Sequence, residues 1–185
     1  MIDSPEVLAR TGGRELRRIV YDEATIHRRV EEVGEAIAAA YPPDEELLLV
    51  GLLKGSFIFV GDLVRAIARP LQVDFLVASS YGSGTTSSGE VRLQKDLDAP
   101  LQGRDVIIVE DIVDTGLTLH YLQDVLRARD PKSLRTACLL SKPSRRKVDV
   151  KVEYIGFEIE DKFVVGYGLD HAGQFRHLPF IGVQE

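Results

Sequence analysis

Sulfur and long apolar runs are scarce in this sequence. Its 185 residues include one cysteine, Cys138, so no disulfide bond can form within the chain. Cys138 stands in the apolar run 137–140, and we predict that it is a small buried hydrophobe. No apolar run approaches the roughly 18 residues that a membrane-spanning helix needs, and no signal peptide is recognisable. We therefore expect a cytoplasmic protein with no membrane contact.

Basic residues are also fewer than acidic ones. Lysine and arginine number 23 against 29 aspartates and glutamates, which gives a formal net charge of -6. This balance disfavours binding to nucleic acid or to an anionic membrane surface. Internal repeats and low-complexity linkers are absent, and no G-x-G-x-x-G follows the first buried strand, so the dinucleotide-binding class is disfavoured. Length and a hydrophobic fraction of 44% predict one globular domain over residues 1–185.

The most informative stretch covers residues 106–118. Residues 106–109 are apolar and mostly β-branched, as in a strand buried on both faces. Glu110 and Asp111 follow in a predicted acidic turn, and Asp114 precedes a loop of small and hydroxyl residues. Apolar residues then recur at helical spacing. A strand end, carboxylates and a helix N-terminus together indicate a site for a phosphate with a polyol or a hard cation, which suggests a phosphorylated sugar.

Two other predicted strands end in a lysine. The apolar run 47–53 leads directly into Lys54 and Gly55, and the run 134–140 ends shortly before Lys142. A cation at the carboxyl end of a parallel strand can contact an anionic ligand. An exposed surface lysine is the alternative at both positions.

Helical spacing of apolar residues predicts two further helices. The first begins with Asp22 as its N-cap and stops at Pro42, and the second turns Phe57 inward. Residues 73–80 and 152–159 are predicted strands. We therefore expect an α/β fold whose mainly parallel central sheet is flanked by helices.

The stretch 106–118 resembles the phosphoribosyl pyrophosphate (PRPP) signature of type I phosphoribosyltransferases, and the whole chain resembles the hypoxanthine/guanine phosphoribosyltransferase family. Residues 157–170, FEIEDKFVVGYGLD, are similar to the purine and metal segment of that family. The resemblance implies the type I fold, with a small hood from the N-terminal arm and residues 143–185 and a flexible lid loop. It implies transfer of the phosphoribosyl group from PRPP to N9 of hypoxanthine, or guanine, with Mg²⁺ as cofactor, in a homodimer or homotetramer.

On the sugar side, the family pattern implies that Glu110 and Asp111 hold the ribose hydroxyls, directly or through the metal ion. The loop after residue 53 would bind pyrophosphate through Lys54 and Gly55, often with a cis peptide bond before the lysine. Arg176 would contact the same pyrophosphate. The resemblance assigns the 5′-phosphate to the loop made of Asp114, Thr115, Gly116, Leu117 and Thr118.

On the purine side, the resemblance implies that Lys142 contacts the 6-oxo group, and its spacing of 21 residues from Phe163 fits the family pattern. Phe163 would stack on the base, and the Val164 backbone would bind the base edge. Asp170 would bind a magnesium ion held by pyrophosphate. Asp114 would take the proton from purine N7 as the general base.

Residues 79–91 are dense in glycine, serine and threonine, and nothing in them can pack a core. They are predicted to be a mobile lid, with a disordered surface loop as the alternative. In the family a Ser-Tyr pair, here Ser80 and Tyr81, closes over the reacting centre. One departure is His171, which stands where a tyrosine is common and to which we assign no role.

Two alternative functions stay open at this point. A PRPP signature does not exclude a xanthine, uracil or adenine phosphoribosyltransferase, although a lysine donor such as Lys142 matches an oxo group better than an amino group. A PRPP-sensing regulator that binds RNA is disfavoured by the net charge and by the retained Asp114. Without the resemblance, Phe163 would be assigned to the core and Asp170 would be an ordinary loop carboxylate.

Overall fold

The computed structural model describes residues 4–80 and 91–184. Within these ranges helices and strands alternate along most of the chain. The helices are α1 (Pro5–Thr11), α2 (Glu23–Ala39), α3 (Phe57–Ala66) and α4 (Leu117–Arg127). The strands are β1 (Arg18–Tyr21), β2 (Leu47–Leu53), β3 (Leu71–Ser80), β4 (Val91–Lys95), β5 (Asp105–Val113), β6 (Ser133–Ser141), β7 (Tyr154–Glu158), β8 (Val164–Val165) and β9 (Ile181–Val183).

Six strands form the main sheet in the order β4-β3-β2-β5-β6-β7. Neighbouring strands pair in parallel except β3 and β4, which form an antiparallel edge. Residues 47–52 of β2 and 105–110 of β5 are all buried, as expected for central strands of a parallel sheet covered on both faces. The predicted α/β fold with a mainly parallel sheet is therefore confirmed.

The chain leaves β2 and β5 toward opposite edges of the main sheet. From β2 it passes through α3 to β3, whereas from β5 it passes through α4 to β6. Neighbouring strands whose connections diverge in this way leave a crevice at their carboxyl ends, and open α/β sheets bind ligands there. The segments that follow β2 and β5 are therefore the first place to look for a site.

Helix α2 begins as predicted, and α3 differs in one residue. Asp22 is the N-cap of α2, and its side chain accepts a 2.8 Å hydrogen bond from the Thr25 N–H. The prediction that Phe57 faces inward is wrong, since Phe57 is 45% exposed. It is the first residue of α3 and lies outside the buried stripe of that helix, which consists of Phe59, Val60 and Leu63.

Strand β5 continues farther than the sequence predicts. Its parallel pairing with β6 runs as far as Val113. Glu110 and Asp111 are therefore strand residues, and the prediction of an acidic turn at these two positions is wrong. The ladder satisfies the backbone groups of both strands, which outweighs the weak strand propensity of two carboxylates. The turn begins at Asp114.

Cys138 lies within β6 and is fully buried. Burial, together with the nearby carboxylate of Glu110, raises the pKa of its thiol to about 12. A thiol so far from ionisation is unreactive and serves to fill space. This confirms the prediction of a small buried hydrophobe.

A smaller antiparallel sheet has the strand order β1-β9-β8. Its residues Val164 and Ile181 belong to the same buried apolar cluster as Ile26 of α2 and Leu63 of α3. The small sheet therefore shares its core with the helices that cover the main sheet. Within the ranges that the structure describes, no helix has both the length and the apolar character to cross a bilayer.

Candidate active site

The segment after β2 packs directly against the end of β5. A Cβ atom on Gly55 would lie 1.5 Å from Oδ2 of Asp111, so only glycine leaves room for this carboxylate. A third segment closes on the same point, because a Cβ on Gly168 would lie 2.2 Å from the Gly55 carbonyl oxygen. The peptide bond between Leu53 and Lys54 is cis, as the family resemblance implies. The Lys54 side chain is exposed.

At the end of β5, Glu110 is buried and Asp111 is half-buried. Glu110 is 6% exposed, and burial, followed by repulsion from Asp111, raises its carboxyl pKa well above the ordinary value. Burial also raises the pKa of Asp111 to about 6, although the Ile112 N–H at 2.8 Å and the guanidinium of Arg176 both favour the ionised form. A cation or a set of hydroxyl donors would stabilise the ionised form of these carboxyl groups.

Asp170 and Arg176 lie on the loop that follows β8. Arg176 Nη2 is 2.6 Å from Asp170 Oδ1, and its Nη1 donates a 2.6 Å hydrogen bond to the Gly168 carbonyl. The Gly173 N–H donates to Asp170 Oδ2 at 2.7 Å. The charges of both residues act on the pKa of Asp111, which Arg176 lowers and Asp170 raises. Asp111, Asp170 and Arg176 therefore form one charged cluster at the crevice.

The loop between β5 and α4 has the features of an anion site. Gly116 is the N-cap of α4, with a φ of 84° and no side chain of its own, and the Leu117 N–H donates a long hydrogen bond of 3.4 Å to the Thr115 hydroxyl. The N-terminal N–H groups of α4 and its positive dipole end therefore face the loop. An open cavity of about 220 Å³ lies here. Its lining comprises Leu52, Glu110, Asp111, Ile112, Val113, Asp114, Thr115, Gly116, Thr118 and Leu119.

Lys142 and Phe163 both depart from the ordinary alternatives. Lys142 is only 7% exposed, so the alternative of an exposed surface lysine is wrong for it. The backbone N–H of Lys142 donates a 3.0 Å hydrogen bond to the Val113 carbonyl, so Lys142 lies beside the end of β5. Phe163 is 52% exposed, so assignment to the core is wrong. The ring of His171 meets the Phe163 ring edge-on at 5.2 Å between centroids.

A sequence profile of the phosphoribosyl transferase domain matches residues 21–172. This chain belongs to the phosphoribosyltransferase family. The hypoxanthine phosphoribosyltransferase of Salmonella typhimurium is 51% identical over 165 residues, which are 89% of this chain and 93% of that relative. The hypoxanthine-guanine phosphoribosyltransferase of Bacillus subtilis is 47% identical over 169 residues, with coverages of 91% and 93%.

A solved structure gives the same result for the fold. The crystal structure of a hypoxanthine-guanine phosphoribosyltransferase from Bacillus anthracis superposes with a TM-score of 0.88 at 44% identity. The match covers 92% of this chain and 100% of that one. The expected type I phosphoribosyltransferase fold is confirmed.

Three charged residues of this phosphoribosyltransferase were missed from the sequence. Residues 144–147 are a short basic run of the kind that usually forms a solvated turn, but Arg146 donates hydrogen bonds to the carbonyls of Val113 and Asp114. Arg145 Nε lies 3.1 Å from Asp114 Oδ1. Asp161 pairs with both Arg145 and Lys142. In the sequence, the basic run after Lys142 was the only signal for the two arginines. It could not identify their contacts, because nothing in it specifies which carboxylate or carbonyl each guanidinium reaches.

The carboxylates of the site suit a magnesium ion that takes most of its ligands from substrate. Among residues 4–80 and 91–184, no three acidic, histidine or cysteine side chains converge as a complete metal site. Mg²⁺ is usually held by one or two carboxylates together with phosphate oxygens and water. Asp111 and Asp170 offer such carboxylates within one cluster. The residues present therefore fit a magnesium ion that arrives with a pyrophosphate group.

One predicted element cannot be placed. Strand β3 ends at Ser80, and residues 81–90 of the predicted lid lie outside the described residues. Tyr81 lies outside the described residues. The returning strand β4 begins at Val91 and pairs with β3, as expected for the two stems of such a loop.

Proposed function

We propose that this phosphoribosyltransferase transfers the 5-phosphoribosyl group of PRPP to N9 of hypoxanthine or guanine, and that it serves purine salvage. The products are IMP or GMP and pyrophosphate. The observation that carries the proposal is the convergence at one crevice of a helix N-terminus, the buried carboxyl group of Glu110, the half-buried carboxyl group of Asp111 and a charged Asp–Arg cluster. These features match the phosphate, polyol and pyrophosphate parts of PRPP.

The loop after β5 binds the sugar phosphate in this proposal. The first-turn N–H groups of α4 and the hydroxyls of Thr115 and Thr118 donate hydrogen bonds to the 5′-phosphate. Gly116 and Leu117 contribute backbone. Glu110 and Asp111 then face the ribose, where the hydroxyl groups donate to them and favour their ionised form.

Pyrophosphate binds on the other side of the crevice. The backbone at Lys54 and Gly55 approaches it closely, and Arg176 donates charge-assisted hydrogen bonds to its oxygens. Mg²⁺ is the proposed cofactor, held by Asp170 and by the carboxylates near the ribose. Its positive charge would offset the charge that develops on the leaving pyrophosphate.

The purine is held by three groups. Phe163 presents an exposed ring face for stacking, the Val164 backbone binds the base edge, and the buried Lys142 ammonium donates to O6. As N9 bonds to C1′ of the ribose, the bond from C1′ to pyrophosphate breaks, and Asp114 takes the proton from N7. Ser80 and Tyr81 belong to the proposed lid that excludes water from the reacting sugar.

We also propose the cytoplasm as the compartment and a homodimer or homotetramer as the assembly. Residues 1–185 are proposed to form one domain in which the small sheet belongs to the hood. No nucleic-acid or membrane partner is proposed, because the net charge of -6 gives no electrostatic attraction to an anionic surface.

A panel of acceptor bases tests the proposed function. The protein is incubated with PRPP, Mg²⁺ and either hypoxanthine, guanine, xanthine or adenine, and nucleotide and pyrophosphate are quantified. We expect IMP or GMP in a one-to-one ratio with pyrophosphate. Adenine should be used at least about 100-fold less efficiently, because its amino group leaves the buried Lys142 without an acceptor. Efficient AMP formation, or no nucleotide with any base, would contradict the proposal.

A further inference from the structure

Four side chains of alternating charge form a continuous chain beside the crevice. Asp114 Oδ1 lies 3.1 Å from Arg145 Nε, and Arg145 Nη1 lies 3.4 Å from Asp161 Oδ2. Asp161 Oδ1 is in turn 3.5 Å from Lys142 Nζ. The two ends are the proposed base and the proposed 6-oxo donor, whereas the two middle residues have no part in the proposed chemistry.

The backbone holds this chain of charges in place. Residues Pro143–Arg145 form a 3₁₀ turn in which the Arg145 N–H donates to the Lys142 carbonyl at 3.1 Å. The Lys142 N–H donates to Val113, the residue before the Asp114 loop. Arg145 therefore leaves the backbone close to both ends of the charged chain. Its side chain is 44% exposed, and exposed ion pairs of this kind add little to stability.

The chemistry of a 6-oxopurine explains why the Asp114 carboxylate and the Lys142 ammonium must stay apart. O6 accepts and N7–H donates along one edge of the base, so the site needs a donor and an acceptor side by side. An ammonium and a carboxylate with no other partners would form an ion pair with each other when the site is empty. Arg145 and Asp161 give each end group its own partner. Lys142 still has further N–H donors, and Asp114 has a second oxygen, for the purine.

We propose that Arg145 and Asp161 are positioning residues that hold the Asp114 carboxylate and the Lys142 ammonium apart and aimed at the N7 and O6 edge of the purine. The proposal rests on the proposed function of this site. It assigns to Arg145 the orientation of the Asp114 carboxylate, and to Asp161 the orientation of the Lys142 ammonium. Neither residue needs to touch the purine.

The test compares R145M and D161N with wild type in the full chain. For R145M we expect kcat with hypoxanthine to fall about tenfold, because the base is no longer oriented, while KM for PRPP stays within about twofold. For D161N we expect KM for hypoxanthine to rise about tenfold. The inhibition constant of unsubstituted purine, which lacks O6, should stay within about twofold. R145M/D161N should show both changes, the lower kcat and the higher KM for hypoxanthine, because each residue orients a different end group.

Matched controls separate positioning from damage to the fold. R127M removes an arginine of similar exposure that pairs with Asp124 at 3.3 Å on the last turn of α4, and it should match wild type. R145K should recover part of the R145M loss, since lysine can pair with one carboxylate but cannot bridge two. If D161N weakened the binding of hypoxanthine and of unsubstituted purine equally, the proposal would be overturned. Wild-type kinetics in R145M would also overturn it. If wild type itself forms no IMP, the proposed function fails first and this inference falls with it.

Discussion

At the residue scale, the site depends on contacts that allow no side chain at all. Asp111 occupies the space where a Cβ of residue 55 would stand, and the Gly55 carbonyl occupies the space where a Cβ of residue 168 would stand. Gly168 also has a φ of +98°, a conformation that other residues rarely adopt. These glycines let the loop after β2, the acidic end of β5 and the loop that carries Asp170 meet at one point.

The close contact at Gly55 makes a direct prediction. In Gly55→Ala the new methyl group would overlap Oδ2 of Asp111, so the carboxylate and the loop must move apart. We expect kcat/KM for PRPP to fall about 100-fold, because small displacements in a site of this kind are costly. Gly61→Ala is the matched control, since nothing lies within 4 Å of its Cβ position. It should keep full activity and gain about 0.5–1 kcal/mol of stability from helix propensity. Full activity in Gly55→Ala would contradict the assigned packing.

At the element scale, Asp74 fastens the antiparallel edge of the main sheet. Its carboxylate accepts hydrogen bonds from the N–H groups of Phe75 at 2.7 Å, Asp98 at 2.7 Å and Ala99 at 3.2 Å. Lys95 of β4 lies 3.5 Å away. Burial raises the pKa of Asp74, but these donors and the lysine outweigh burial and lower it overall. The segment after β4 is thus tied to β3 by an ionised side chain.

The lowered pKa sets the pH range in which Asp74 contributes to stability. A carboxyl group whose pKa is lower in the folded state stabilises the fold above its unfolded pKa of about 3.9, and this stabilisation is lost as the pH falls through the folded pKa. We expect Asp74→Asn to lower the free energy of unfolding by about 1–3 kcal/mol at pH 7, measured in urea. The difference from wild type should be constant from pH 8 to 5 and shrink below about pH 4.

An exposed neighbour provides the control for Asp74. The Asp98 side chain is 85% exposed and pairs only at the surface with Lys95. Asp98→Asn should change stability by less than about 0.5 kcal/mol at every pH. A destabilisation of Asp74→Asn that grows toward low pH would have the wrong sign and would contradict this interpretation.

At the scale of the whole molecule, the two sheets share one of the buried apolar clusters. Val164 and Ile181 of the small sheet share a buried cluster with Leu47 and Ile107 of the main sheet. Arg29 of α2 also donates to the carbonyls of Ile155 and Gly156 on β7 at 2.8 and 2.7 Å. Loss of the small sheet would uncover this cluster, so we propose that both sheets unfold together.

Hydrogen exchange followed across a urea titration tests this cooperativity. Peptides from β5 and from β9 should lose protection at the same midpoint, because one cooperative unit has one transition. An earlier midpoint for β9, with β5 still protected, would show that the small sheet is an independent unit.

The sequence revealed the elements better than it revealed their contacts. Apolar runs located β2 and β6 and most of β5, and the loop of Asp114 was found by its order of residue types. Arg145 could not be found, because its partner Asp114 is 31 residues away and a basic run carries no information on direction. The burial of Lys142 and the exposure of Phe163 likewise depend on how the segments after β6 and before β8 fold back.

The role of Asp114 is the central claim, and one substitution tests it most directly. Asp114→Asn keeps the size of the side chain but cannot take the N7 proton, so kcat with hypoxanthine should fall by about 10²–10⁴. The Kd for PRPP, measured by calorimetry with Mg²⁺ present, should stay within about threefold of wild type. The control is Asp124→Asn, which changes an exposed aspartate of α4 and should keep both PRPP binding and full turnover. Wild-type turnover in Asp114→Asn would contradict the account, and so would a loss of PRPP affinity large enough to explain the fall in rate.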